Sequence, residues 1–293
     1  MKQSFLLLLL LLNVSSCVAP PTSPKSSLKV QETDSFTDVV KTIDDKTQLY
    51  GHNKVLVVVD IDNTLLTSES DLGGDIWYQW QRGNLEVKPR EDQKVACLFE
   101  DTISLLYELG PMTLTEPTLP QIITTWQNKG LTVFALTSRS PKSRSATERE
   151  LLRAGIDLSA SALRPEGQAA PILREAIPRE MSYMQGIMMT SGMNKGLMLN
   201  YMLEKMQRHF DAIIFVDDSQ KNIDNLYTEF QADTSVDMTL FHYTKIEEQR
   251  LAQHGKVLTQ SQADLMAQQW SELSQLISSI FPSRQPGVCL SIN

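Results

Sequence analysis

The sequence predicts an α/β fold: a doubly wound parallel sheet with a smaller piece inserted after its first strand. Three observations carry this. Short apolar runs rich in β-branched residues alternate with helical patterns, as buried parallel strands and their crossovers do. The alternation breaks once, between about residues 67 and 117. The runs also end in polar residues able to do chemistry, and ligands of such sheets sit at the carboxyl ends of strands.

Four runs read as strands, Val55 to Val59, Leu131 to Leu136, Gly186 to Thr190 and Ala212 to Val216, with Met238 to Tyr243 as a fifth. Helical periodicity occupies 36–49, with Val39, Val40 and Ile43 on one face, and then 118–129, 143–154, 195–208, 219–230 and 262–280. The interrupting segment holds Trp77, Tyr78 and Trp80 among polar residues. These rings would fill the insert's own core or stack on a ligand ring.

The first seventeen residues follow a different rule. Lys2, the leucine run Leu6 to Leu12 and Val14-Ser15-Ser16-Cys17 read as an export signal, too short to span a bilayer as a mature helix. The last four resemble the lipobox of bacterial lipoproteins, in which Cys17 would be acylated. Ordinary signal cleavage near Ala19 is the alternative. Residues 18–35, with Pro20, Pro21, Pro24 and several serines, read as a tether, and 36–293 as the folded domain. Whether Cys97 and Cys289 pair is left open.

At 293 residues, 41% hydrophobic and a net charge of -8, the chain has enough apolar content for a sizeable core and no clustered Lys and Arg. That composition argues against a nucleic-acid footprint. The histidines His52, His209, His242 and His254 are scattered without zinc spacing, and no nucleophile elbow occurs.

The chemistry concentrates at strand ends. Val57-Val58-Val59-Asp60-Ile61-Asp62-Asn63-Thr64 ends an apolar strand in two carboxylates spaced by two, which face the same side of an extended chain. One can attack phosphorus while the other moves the proton. Leu136-Thr137-Ser138-Arg139 places a hydroxyl and a guanidinium at a second end, suited to phosphoryl oxygens. Ser191-Gly192-Met193-Asn194-Lys195-Gly196 brings a lysine to a helix start, where it would offset phosphoryl charge and keep Asp60 ionised. Phe215-Val216-Asp217-Asp218 adds an acidic pair, with Asn222 four residues beyond Asp218, as hard oxygen ligands for a small cation.

In this order the four segments resemble the motifs of the haloacid dehalogenase-like superfamily. The resemblance covers roughly residues 50–245 and implies a Rossmann-like sheet with a small helical cap at the insert. It also implies a magnesium-dependent phosphatase acting on a small phosphomonoester through an aspartyl-phosphate. Asp60 would be the nucleophile and Asp62 the general acid/base, with its backbone carbonyl on the metal. Thr64 would steady the loop, and Thr137, Lys195 and Arg139 would bind phosphate. Asp60, Asp62, Asp217 and Asp218 would hold Mg²⁺, with Asn222 supporting; which of Asp217 and Asp218 touches metal stays open. A silent, lipid-anchored binding or scaffold protein is the competing reading. Partners expected are a phosphorylated small molecule and, through Cys17, a bacterial membrane, with the outer membrane facing the periplasm favoured.

Overall fold

The computed structural model describes residues 27–283 and 288–289. Cys17, the export signal and most of the expected tether lie outside the described residues. Strand β1 (Leu28–Thr33) opens the chain, followed by α1 (Phe36–Tyr50), β2 (Val55–Val59), β3 (Leu66–Ser68), α2 (Asp75–Gln81), α3 (Ile103–Leu109) and β4 (Met112–Leu114). Next come α4 (Leu119–Asn128), β5 (Thr132–Thr137), α5 (Arg144–Arg153), β6 (Leu173–Ala176), β7 (Glu180–Met184), β8 (Ile187–Met189) and α6 (Lys195–Met206). The chain closes with β9 (Ala212–Asp217), α7 (Gln220–Phe230), β10 (Asp237–Tyr243), α8 (Lys245–His254) and α9 (Gln260–Ile280).

Eight strands form one sheet in the order β1-β10-β9-β2-β5-β8-β7-β6. The first six run parallel, while at one edge β7 runs antiparallel to β8 and β6 antiparallel to β7. The fold is therefore α/β with a mostly parallel central sheet. Alternation along β2 builds two cores: Val55, Val57 and Val59 face α1 and α4, whereas Leu56 and Val58 face α6 and α7. Burying both faces is what makes the strand read as an uninterrupted apolar run. The chain leaves β2 toward β5 and β8, then returns to place β9 on the other side. The switch point between β2 and β9 opens a crevice at the strands' carboxyl ends.

One boundary differs from the sequence reading. The expected tether reached residue 35, but Leu28–Thr33 is a strand in register with β10, Leu28 opposite Met238 and Thr33 opposite Tyr243. Its residues are mostly exposed, so backbone pairing rather than apolar burial holds it, and its polar composition hides it. The hairpin at the opposite edge also escapes the sequence reading: β6 is half-exposed and polar, while β7 is buried but too short and mixed in composition to read as an apolar run.

The insert leaves the sheet through β3 and returns through β4, and these two strands pair antiparallel at its base. Trp77 and Trp80 are fully buried there with Leu98 and Leu106, against Leu258, Ala263 and Met266 of the C-terminal region. The rings thus fill a core of their own rather than wait for a ligand. Helix α9 forms part of that core, and a disulfide joins Cys97 to Cys289, the pairing that the sequence leaves open.

Candidate functional site

Asp60 follows the last residue of β2, and its N–H donates to the Val216 carbonyl of β9 at 2.9 Å. Val59 lies opposite Val216, so Asp217 arrives beside Asp60 one residue further on. Along β9, Asp217 shares the face of Ile213 and Phe215, the face that α6 covers. Lys195, the first residue of α6, is therefore delivered between the two acids. Its Nζ lies 2.7 Å from Asp60 Oδ1 and 2.6 Å from Asp217 Oδ2, with no solvent exposure. The next residue is Gly196, where a Cβ would sit 2.4 Å from the Asn225 carbonyl oxygen of α7. Only a residue without a side chain lets the two helices close to this distance and seats Lys195 in the crevice.

Asp217 is held through both oxygens. Its second oxygen accepts from the Ser219 N–H and from Asn222 Nδ2, each at 2.9 Å. Asn222 therefore supports Asp217, whereas the motif spacing pairs it with Asp218. The half-buried Asp218 accepts from Asn63 Nδ2 at 3.2 Å, and its carbonyl oxygen lies 3.0 Å from His242 Nε2.

One ligand oxygen from each of Asp60, Asp217 and Asp218 lies within 4.8 Å of the other two. That donor set of hard oxygens suits a small divalent cation. Asp60 Oδ1 is buried without a directed hydrogen bond despite the ammonium beside it, which leaves a lone pair for such an ion. The Asp62 carboxylate is not in this cluster.

Asp62 is held by Arg139 instead. The guanidinium donates Nε to one oxygen and Nη2 to the other, each at 2.8 Å, while Nη1 reaches Thr147 Oγ1 at 2.9 Å and the Tyr107 ring lies 4.0 Å from the guanidinium carbon. Arg139 was expected on phosphate, but in this arrangement its fork is spent on both oxygens of Asp62. Thr137 is buried at the end of β5, where its Oγ1 accepts from the Arg139 N–H at 3.1 Å. Thr64 is buried with an unpartnered Oγ1 inside the loop after β2, and its carbonyl accepts from Thr115 at 2.5 Å.

Two contributors were missed in the sequence. Asp75, at the start of α2, accepts from Asn63 Nδ2 at 3.3 Å and from Gln79 at 3.1 Å, so Asn63 bridges an acid of the insert and an acid of the sheet. Asn63 adopts φ 53, the left-handed backbone that Asn tolerates better than most residues. No local pattern marks Asp75, since fourteen residues of chain separate it from Asp60. His242, set aside as scattered, lies against the backbone of Asp218.

Five carboxylates thus surround two cations. Burial pushes Asp60 up to about 8, with Lys195 pulling it down and Asp217 and Asp62 pushing it further up. Burial likewise raises Asp75 to about 7, followed by the charge of Asp62. The Lys195 ammonium is held well above its ordinary value: burial opposes its charge, but Asp217 and Asp60 outweigh that. Surplus negative charge in a buried crevice calls for a cation.

Comparison with known proteins gives three curated relatives at 24% identity. One, from Chlamydia pneumoniae, aligns over 60% of this chain and 64% of its own length. The others, from Chlamydia muridarum and Chlamydia trachomatis, align over 66% and 72%. All three carry the name "Putative outer membrane protein". The chain thus spans just under two thirds of the first relative. Among solved structures, a haloacid dehalogenase-like family hydrolase from Streptococcus pneumoniae aligns with 67% of this chain and 97% of its own, at a TM-score of 0.33 and 11% identity. Among the described residues no helix is long and apolar enough to cross a membrane. Residues 32–282 match the family described as "Protein of unknown function (DUF2608)", and the chain belongs to that family.

Proposed function

We propose that this chain is a magnesium-dependent phosphohydrolase of the haloacid dehalogenase-like type that acts on a small phosphomonoester. The observation that carries the reading is Lys195 set between Asp60 and Asp217, with Asp218 completing a three-oxygen cluster at the switch point of the sheet. A structural ion pair alone would need one acid for one lysine.

In this reading an Asp60 oxygen attacks phosphorus, and the bond to the leaving oxygen breaks as that oxygen takes a proton from Asp62. Water, deprotonated by Asp62, then attacks phosphorus and frees Asp60. Arg139 holds both Asp62 oxygens, so proton transfer requires this fork to release one of them. Lys195 carries positive charge toward the phosphoryl group and lowers the cost of ionising Asp60. Thr137 would offer its hydroxyl to a phosphoryl oxygen. Asp60, Asp217 and Asp218 would hold the magnesium with the Asp62 carbonyl, and the ion would neutralise charge on the transferring group.

The test is phosphate release from a generic aryl monoester by the purified protein, with and without magnesium. Turnover that needs magnesium and falls by on the order of 10³-fold or more in Asp60→Asn is expected. A folded, magnesium-binding protein without turnover would favour a binding or scaffold role instead.

We also propose export with acylation at Cys17. The Cys97–Cys289 disulfide supports an oxidising compartment, and the names of the relatives support the outer membrane. Mass spectrometry of the mature N-terminus decides: an acylated Cys17 is expected, and cleavage near Ala19 would remove the anchor.

A further inference from the structure

The insert rests on the crevice at two points. At one, the Tyr107 ring of α3 lies 4.0 Å from the guanidinium carbon of Arg139. At the other, Asp75 of α2 meets Asp218 of the sheet through the side chain of Asn63, and this contact reaches an acid of the three-oxygen cluster.

The bridge uses the whole amide. Its nitrogen carries two hydrogens, and Asn63 Nδ2 lies 3.3 Å from Asp75 Oδ2 and 3.2 Å from Asp218 Oδ2, so each acid takes one. Ionised carboxylates only accept, which turns the nitrogen toward them, and on the other side the Thr67 hydroxyl of β3 donates to Asn63 Oδ1 at 2.9 Å. Insert and sheet therefore fix one side chain between them. Asp75 is itself tightly placed. A Cβ at Gly74 would lie 2.9 Å from Ser68 Oγ, so α2 starts against β3 only because that residue has no side chain. The second Asp75 oxygen accepts from Gln79 Nε2 at 3.1 Å.

We propose that Asn63 is a positioning residue that couples the seating of the insert to magnesium binding at Asp60, Asp217 and Asp218. This rests on the metal site of the phosphohydrolase reading. With Asp75 in place the amide is fixed and holds Asp218 toward the cluster; when the insert lifts, Asn63 loses one partner and Asp218 loses its hold. Residues that orient a ligand in this way set metal affinity without touching the ion. Linkage makes the effect reciprocal, so a bound ion holds the insert down by the same factor that the seated insert adds to its affinity. The crevice is thus open when empty and covered when loaded.

The test measures magnesium affinity by calorimetry, and amide exchange in α2 with and without the ion, on the purified full chain. In the wild type, magnesium should slow exchange across Asp75–Gln81 by about fivefold or more. Asn63→Gly suits the left-handed backbone at φ 53 and removes both donors. It should weaken magnesium by about tenfold and leave α2 exchange the same with and without the ion. Asp75→Ala, on the insert, should weaken magnesium by a similar factor. Because both changes break one bridge, the double variant should lose no more than either alone, whereas independent effects of charge and backbone would add. Magnesium-independent α2 exchange in the wild type, protection retained in Asn63→Gly, or additive losses would each overturn the coupling. If the wild type binds no magnesium, the metal reading fails separately, and the ion-free chain decides on the bridge. Asn63→Gly should then speed exchange in α2 several-fold relative to α6, and unchanged exchange rejects the bridge.

Discussion

The crevice floor and the insert above it contain the same kinds of residue in opposite states. On the floor, Lys195, Asp60 and Asp217 are buried and hold one another within 2.7 Å. On the insert, the exposed Arg82 lies over a half-exposed Phe99. Buried charges must be paired, because desolvation is repaid only by short contacts of opposite sign. Solvated charges can stay unpaired at little cost and remain free for a ligand. The floor is thus a fixed, mutually paired set, whereas the insert keeps its charge in solvent.

The strongest way to break this contrast is Lys195→Met, which leaves two acids facing each other without a cation. Thermal unfolding should show a loss of about 3–5 kcal/mol, partly restored when Asp217→Asn is added. A loss below about 1 kcal/mol would mean that the floor is wetter than its geometry implies.

The next effect concerns how the insert is held. Replacing Cys97 and Cys289 by Ser should cost about 2–4 kcal/mol, read from urea unfolding. Hydrogen exchange should rise in α2, α3 and α9 while β2 and β9 stay protected. Uniform loosening would show that insert and sheet unfold as one unit.

The smallest effect is pH dependence of the metal-free floor. Asp60 and Asp75 have folded values raised to about 8 and about 7, above the ordinary carboxylate range. Stability is then greatest at low pH and falls as pH rises from about 4 to about 8, where both acids are forced to ionise. The Asp60 value already includes the pull of Lys195, so a decline of at least about 1 kcal/mol is expected. Saturating magnesium should flatten it, because the ion favours the ionised acids. A flat profile without metal would mean that Lys195 alone compensates.

How much was legible from sequence follows from what each residue depends on. The β2, β5, β8, β9 and β10 strands were found because burial on both faces demands apolar runs, and helix positions followed from periodicity. Asp60, Lys195 and Asp217 come together because each ends or begins an element whose place in such a sheet is set. Edge strands β1 and β6 stayed hidden because an edge is held by backbone hydrogen bonds, which leave no side-chain signature.

The sequence by itself therefore determined the α/β class, the central strands and the acids and lysine at their ends, since strand burial and parallel connectivity leave few alternatives. Tertiary structure alone decided the rest. It turned Arg139 onto Asp62, gave Asn222 to Asp217, brought Asp75 to the site through Asn63 and closed Cys97 onto Cys289. Each of these depends on distances between segments remote in the chain, which only the packed fold sets.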